Sequence, residues 1–173
     1  MRVLVAYASM HGATAEIAQA IGEELGKMGL ETDVRPVAAD TDVRGYGAVV
    51  LGSGIYTSHW KKEAMKFGKR NADELRRLPV WLFDSGPIDT SADEGKTTPV
   101  KGAAKLAERI GARQHVTFGG QLGPEDVGKF ASSMIAKGDK NPYGDFRNFD
   151  RIREWARAIG TQLRAIKPMG AGS

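Results

Sequence analysis

A short polar loop, Ser9-Met10-His11-Gly12-Ala13-Thr14, has the residue types of an anion-binding site. It follows an apolar run of strand length and opens into a segment whose apolar residues, from Ile17 to Leu25, have helical spacing. The first N–H groups of a helix have no partner and the helix dipole adds positive potential, so this place suits a negative charge. Ser9 and Thr14 add hydroxyl donors, and Gly12 lets the backbone approach an anion closely. The alternative is an ordinary strand-to-helix turn capped by Ser9.

The pattern of this loop narrows the type of anion. It lacks the G-x-x-x-x-G-K-[ST] pattern of nucleotide triphosphate loops and the G-x-G-x-x-G pattern of dinucleotide-binding turns. It resembles the phosphate loop of the flavodoxin family, roughly [ST]-x-T-G-x-T, with His11 where that family usually has Thr. The resemblance implies that the loop binds the phosphate of flavin mononucleotide (FMN). His11 is then either a phosphate donor or an exposed loop residue.

Two further loops combine glycine with hydrogen-bonding residues, Gly52 to Trp60 and Asp84 to Asp89. Each follows a short apolar run that we expect to be a strand. Ligands of doubly wound sheets bind at the carboxyl ends of the strands, where the strand order reverses. A flavin needs a flat slot and polar groups at the ring edge, which these loops can supply. Tyr56 and Trp60 are the predicted stacking rings, and the predicted ring contacts are Gly54, Ser85 and Gly86.

The three loops together define the predicted cofactor site. Its residues are Ser9, Met10, His11, Gly12, Ala13, Thr14, Ser53, Gly54, Ile55, Tyr56, Ser85, Gly86, Pro87, Ile88 and Asp89. His59 is the candidate catalytic residue, as a proton donor or substrate contact; alternatively it is a residue at a helix start that bonds to the backbone. No set of His, Asp and Glu has metal-ligand spacing, so we predict no metal site.

Strands and helices must alternate to position these loops. The predicted strands are Val3 to Ala8, Glu31 to Val37, Ala48 to Leu51, Val80 to Phe83 and Val116 to Gly119. The predicted helices are Thr14 to Met28, Lys61 to Leu78, Val100 to Ile110 and Asp150 to Ile166. This alternation predicts an α/β fold with a five-stranded parallel sheet covered by helices on both faces. With a phosphate loop after the first strand, the expected arrangement is the doubly wound, flavodoxin-like order 2-1-3-4-5.

A long segment, Gln121 to Asp145, separates the fifth predicted strand from the last helix. Usual strand-to-helix loops have about 2–6 residues, and long ones are often functional. Within it, Val127 to Lys137 has the pattern of a short helix, and Lys137 to Gly144 is polar and rich in turn formers. The segment is either a substrate-binding lid or a solvated insertion.

Composition sets further limits. The 173 residues predict one domain from residue 1 to residue 173, and 41% hydrophobic residues is ordinary for a soluble protein. No apolar run reaches about 18 residues and no leader is recognised, so we expect a cytoplasmic protein, or one bound peripherally to a membrane. Without cysteine, disulfides, thiolate catalysis and Cys-ligated clusters are excluded.

The charge is basic, at +4 with a pI near 9.4. Seven basic and three acidic residues lie between Lys61 and Arg77. This segment is either a solvated helix face or a surface for an anionic substrate, an acidic partner or an anionic membrane. No recognised binding motif accompanies the charge, so nucleic acid is not an expected partner.

The whole chain resembles the flavodoxin-domain family, in the branch of menaquinone-dependent protoporphyrinogen oxidases. The resemblance rests on Ser9 to Thr14, on Val49-Val50-Leu51-Gly52 followed by Ile55 and His59, on the long insert, and on Gly144 to Asp150. Two features depart from that branch. It has Ile-Arg-Tyr where this chain has Ile55-Tyr56-Thr57, and its insert is more basic and aromatic.

The resemblance implies an FMN-dependent oxidoreductase. Its donor would be a small molecule such as a porphyrinogen, and its acceptor a quinone. The alternative is an electron carrier that docks on redox partner proteins, although the acidic surface of such carriers is missing. A third reading is a regulator with this fold and no flavin, against which the complete set of three loops argues.

Overall fold

The computed structural model describes residues 1–124 and 143–166. Its strands are β1 (Arg2–Ala8), β2 (Glu31–Pro36), β3 (Ala48–Tyr56), β4 (His59–Trp60), β5 (Val80–Ser85), β6 (Gln114–Phe118), β7 (Gln121–Leu122) and β8 (Gly144–Asp145). Its helices are α1 (Ala13–Lys27), α2 (Lys62–Arg70), α3 (Ala72–Leu75), α4 (Lys101–Ile110) and α5 (Phe149–Ala165). None of these helices is long and apolar enough to cross a membrane.

Within the described residues, five parallel strands form the main sheet in the order β2-β1-β3-β5-β6. Counting only these strands along the chain, the order is 2-1-3-4-5, which confirms the predicted doubly wound fold. The short β4 pairs antiparallel with the end of β3, and β7 pairs antiparallel with β8 in a separate ribbon. Because the strands are parallel, their carboxyl ends meet at one edge of the sheet.

The core consists of two apolar layers, one on each face of the sheet. Alternate residues of β1 point to opposite faces, so Val3 packs under α1 and α5 while Leu4 packs under α2, α3 and α4. Both faces are covered, which explains why β1 reads as a continuous apolar run rather than an alternating one. The sheet is thereby a rigid base for the loops at its carboxyl edge.

The helix predicted from Lys61 to Leu78 is interrupted. Asn71 ends α2 and precedes α3, and both its backbone N–H and its side-chain amide donate to the Phe67 carbonyl, at 3.1 and 2.9 Å. A short amide side chain competes in this way for backbone hydrogen bonds and disfavours a helix interior. The predicted helix over Val127 to Lys137 lies outside the described residues.

The third strand is longer than predicted, because β3 continues from Leu51 to Tyr56. Gly52, Ser53 and Gly54 pair with β5, and Ile55 and Tyr56 pair with β4. A Cβ at Gly52 would lie 2.0 Å from the Phe83 ring, so this glycine reflects a crowded strand rather than a turn. The first half of the expected second loop is therefore strand.

Candidate functional site

A cleft lies at the carboxyl edge of the sheet, between the loops that follow β1, β5 and β6 and the end of β3. We call it the loop cleft. Its lining residues are His11, Ala13, Thr14, Gly54, Ile55, Tyr56, Ser85, Gly86, Ile88, Gly120, Gln121 and Leu122. The three sequence segments that we expected to converge thus meet in one place, as the strand order requires.

The loop after β1 presents the amino end of α1 to the cleft. Gly12 precedes the helix with φ of +91°, a left-handed conformation that glycine adopts without strain. Its N–H donates to Ser9 Oγ at 3.0 Å, so Ser9 shapes the loop. The Glu16 N–H donates back to the Gly12 carbonyl at 3.1 Å, and the N–H groups before it have no acceptor within the helix. This end of α1 therefore offers donors and positive potential to an anion.

A pair of buried hydroxyls connects the first and third loops. Thr14 Oγ1 and Ser85 Oγ lie 3.0 Å apart, and the two residues are 1% and 3% exposed. Each hydroxyl has one proton and two lone pairs, and their mutual bond uses one proton. One donor of the pair therefore remains for a ligand in the cleft.

Tyr56 connects the first and second loops. Its hydroxyl accepts the Met10 N–H at 2.8 Å. Its ring folds back over Gly54, where a Cβ would lie 2.4 Å from the Tyr56 hydroxyl. Only glycine at position 54 allows this ring to close the wall of the cleft.

The turn that carries Tyr56 toward Trp60 is strained. Thr57 and Ser58 have φ of 47° and 61°, which side-chain-bearing residues adopt uncommonly. Both central residues of a type I′ hairpin turn require positive φ, which explains the conformation. His59 follows, exposed, with Nδ1 2.6 Å from the Thr57 carbonyl. It lines a groove beside the cleft rather than the cleft, so its catalytic role stays a prediction.

The opposite wall is made of closely packed backbone. A Cβ at Gly86 would lie 2.8 Å from Ile55 Cβ, and one at Gly120 would lie 3.0 Å from the Gly86 carbonyl oxygen. The Gly120 N–H donates to the Pro87 carbonyl at 2.8 Å. A wall of this kind brings peptide groups, rather than side chains, within reach of a flat ligand.

The other predicted cofactor residues lie around the cleft without lining it. Ser53 is fully buried, and its hydroxyl accepts the Lys61 N–H at 3.0 Å and donates to the Gly54 carbonyl at 2.8 Å. Asp89 accepts the Ser91 N–H at 2.8 Å. The remaining ones shape the loops or face elsewhere: Ser9, Met10, Gly12 and Pro87. Their roles in cofactor binding remain predictions.

Three residues of the cleft were not assigned to the site from the sequence: Gly120, Gln121 and Leu122. They follow β6, the fifth strand of the parallel sheet. The pair Gly119-Gly120 at the carboxyl end of that strand could have indicated this part of the site, because the other loops of the cleft lie at the carboxyl edge of the sheet.

Arg147 holds the amino end of α1 in place. Its side chain is 5% exposed and donates to Glu16 at 2.7 Å, to Asp145 at 2.9 Å and to the Ala13 carbonyl at 3.3 Å. The hydrogen bonds from Arg147 lower the pKa of Asp145, and this effect is larger than the rise that desolvation causes. This clamp joins the ribbon strand β8 to the amino end of α1.

We expect Asp145→Asn to lower the free energy of unfolding by at most about 1 kcal/mol at pH 7, since the 43% exposed carboxylate is screened by solvent. Because the pKa of Asp145 is lowered in the folded state, its ionised carboxylate stabilises the fold at pH values above the ordinary pKa of about 3.9. This stabilisation is lost as the pH falls through the folded-state pKa. Urea unfolding of both proteins should show a difference in stability at pH 7 that narrows as the pH falls below about 3.9. A difference that is constant with pH would contradict the ionic origin.

A buried polar cluster lies beneath the cleft. Asp84 is fully buried at the end of β5, and its Oδ2 accepts the Trp60 Nε1–H at 3.1 Å and lies 2.7 Å from His115 Nε2. Among the described residues, Asp84 Oδ1 and His115 Nδ1 have no hydrogen-bond partner. Trp60 is only 5% exposed and does not line the cleft, so the prediction that it stacks on a flavin is wrong. Its ring is committed to Asp84 and lies edge-on to the His115 ring.

The sequence model of a family described as a flavodoxin domain matches residues 4–147. Protoporphyrinogen IX dehydrogenase (quinone) from Escherichia coli strain K12 is 30% identical over 85 residues, which are 48% of this chain and 47% of that protein. The chain thus spans about half the length of the curated relatives it matches.

Solved structures show the same architecture. A mutant flavodoxin from Pseudomonas aeruginosa matches 95% of this chain and 100% of its own, with a TM-score of 0.63 and 15% identity. Rubredoxin oxygen:oxidoreductase from Desulfovibrio gigas matches 95% of this chain and 36% of its own, with a TM-score of 0.64 and 15% identity. At these identities the likeness shows the fold alone.

Proposed function

Because this chain belongs to the flavodoxin domain family, we propose that it binds FMN in the loop cleft and acts as an FMN-dependent oxidoreductase. The observation that carries the proposal is the buried Thr14–Ser85 hydroxyl pair, which joins the anion-binding end of α1 to the backbone wall at Gly86. One cleft thus offers donors for a phosphate, peptide groups for a polar ring edge and the Tyr56 ring as a wall.

The residues present fit such a cofactor. FMN carries one terminal phosphate, which suits the donors of residues 9–14 and the dipole of α1. Tyr56, Ile55 and Ile88 supply apolar surface for a flat ring, and the closely packed backbone at Gly86 and Gly120 forms the opposite side of the slot. When bound, FMN would supply the reversible electron transfer, and the protein would bind and orient it.

We expect the purified protein to bind FMN rather than flavin adenine dinucleotide (FAD). The phosphate loop suits one terminal phosphate, and the chain lacks the dinucleotide fingerprint. The cofactor released by heat should migrate as FMN in chromatography, and the flavin-free protein should bind FMN much more tightly than riboflavin in a fluorescence titration. Recovery of FAD, or no binding at saturating FMN, would contradict the proposal and favour a flavin-free regulator.

The substrate proposal rests on the relative that is named a protoporphyrinogen IX dehydrogenase with quinone as acceptor. We propose a porphyrinogen-like donor and a quinone acceptor for this chain, a choice that its basic charge of +4 supports for an anionic donor. The test is the anaerobic oxidation of protoporphyrinogen IX by the FMN-loaded protein, with menadione as the quinone acceptor. The rise in porphyrin fluorescence measures the reaction. Turnover that requires both FMN and quinone would support the proposal.

An electron carrier is the second candidate. It is favoured by the match of residues 4–147 to the flavodoxin domain family. A carrier should exchange electrons rapidly with a flavodoxin reductase and with cytochrome c, and should leave protoporphyrinogen unoxidised. That combination of results would replace the oxidase proposal while leaving FMN binding intact.

A further inference from the structure

A second concave surface lies beside the loop cleft, and the proposed chemistry leaves it unexplained. It runs from the β3–β4 hairpin to the exposed face of α2 and has a volume of about 710 Å³. Four of its lining residues are lysines: Lys61, Lys62, Lys66 and Lys69. We call this surface the lysine groove. Its volume is within the range of about 300–1,000 Å³ that is typical of small-molecule sites.

Among the described residues, the lysines of the groove have no acidic partner in an ion pair. Glu63 is the acidic residue among the lining side chains. Lys62 and Lys66 are four residues apart on α2, and Lys66 and Lys69 are three apart. Like charges at these spacings repel one another and destabilise a helix. An anionic ligand would relieve this repulsion.

The surface between the lysines is apolar. Met65 is partly buried, Trp60 is almost fully buried, and Met10, which is 55% exposed, reaches the groove from the phosphate loop. Exposed methionine offers a polarisable, adaptable surface to apolar ligands. The groove thus combines an apolar floor with several cationic groups.

The groove and the loop cleft share one wall. The Tyr56 side chain lines both, and its hydroxyl accepts the N–H of Met10, which belongs to the groove. His59 also lines the groove, on the strained hairpin turn. A molecule in the groove would therefore lie next to the site in which we place the flavin.

From this combination we infer that the lysine groove binds a small, flat, apolar molecule that carries two or more anionic groups. The inference rests on the proposed function, since it assigns the groove to the reductant of that site. The apolar body would lie on Met10, Tyr56 and Met65, and the anionic groups would pair with the lysines of α2. The concave shape and its volume favour a small molecule over the flat surface of a protein partner or a membrane.

The test uses the FMN-loaded protein and pyrene-1,3,6,8-tetrasulfonate, a flat, fluorescent tetra-anion. Fluorescence anisotropy gives its dissociation constant for the wild type and for the double variant Lys62→Glu/Lys66→Glu. The matched control is Lys101→Glu/Lys105→Glu, which makes the same charge change at the same spacing on the neighbouring helix α4, whose lysines do not line the groove. FMN affinity is measured separately for every variant, so a failure to bind FMN is recognised as a failure of the proposed function.

We expect the α2 variant to raise the dissociation constant at least tenfold and the α4 control to change it less than twofold. Neutral pyrenemethanol should bind the wild type and the α2 variant within twofold of each other. Equal weakening by both double variants, or none by either, would overturn the inference. So would an α2 variant that keeps the probe affinity but loses binding to vesicles with one-quarter anionic phospholipid, because the lysines would then form a membrane contact.

Discussion

Gly12→Val is expected to weaken FMN binding at least about a hundredfold, or about 2.7 kcal/mol. Gly12 has φ of +91°, a conformation that glycine adopts freely and that a β-branched residue adopts only with backbone strain. No atom lies within 4 Å of the position of its Cβ, so the flavin-free fold has space for the valine. The loss should instead come from backbone strain and from a side chain placed where a phosphate would approach the loop.

Two comparisons separate these causes. Gly12→Asn should lose less affinity than Gly12→Val, because Asn tolerates positive φ. Thr14→Ala should lose about 1.5–3 kcal/mol, the usual contribution of a hydrogen bond to a charged group. Affinity for riboflavin, which lacks the phosphate, should change much less in all three variants. Equal losses for FMN and riboflavin in titrations of the flavin-free proteins would show that the loop does not hold the phosphate.

Asp84→Ala should lower the free energy of unfolding by about 3 kcal/mol, the largest stability effect that we expect from a single polar residue here. Asp84 is fully buried and accepts from Trp60, with His115 2.7 Å away. Its removal would leave these two groups without their acceptor and would open a cavity beneath the hairpin, and each buried unsatisfied group costs about 1–3 kcal/mol.

Urea unfolding, followed by tryptophan fluorescence, measures this effect. Asp84→Asn keeps the volume and one oxygen acceptor, so it should lose less stability than the alanine variant. The control, Asp40→Ala, removes an exposed carboxylate and should change stability by less than about 0.5 kcal/mol. A loss below 1 kcal/mol for Asp84→Ala would show that the cluster does not hold the hairpin.

Sequence reasoning succeeded where the signal was local. The apolar run before Ser9 and the loop that opens into α1 are contiguous, so strand, loop and helix could be predicted together. The same holds for β5 and the turn after Ser85. From such units the strand order followed by topology rules. In contrast, Gly52 was predicted to lie in a loop, but it lies in β3. Glycine is needed there because the Phe83 ring of the neighbouring strand leaves no space for a side chain, which the local sequence does not show.

The features that sequence reasoning missed join distant parts of the chain. Thr14 and Ser85 are 71 residues apart, and nothing in either segment reveals that their hydroxyls bond. Trp60 follows a polar turn and therefore resembled an exposed stacking ring, but it is buried and its indole N–H donates to Asp84, 24 residues away. Arg147 is 131 residues from Glu16, so neither segment of the sequence indicates their ion pair, which forms because the fold places the two segments side by side.

That last separation has a consequence for the order in which the protein is made. Ribosomes add about 5–20 residues per second, so the loop before α1 emerges many seconds before Arg147. Until Arg147 arrives, Glu16 and the Ala13 carbonyl lack the partner that holds the amino end of α1. Gly120 to Leu122, which complete the cleft, are also synthesised late. The cleft of the nascent chain therefore stays incomplete until residues 120–122 and Arg147 have been synthesised, and we expect the proposed cofactor to bind stably only after that point.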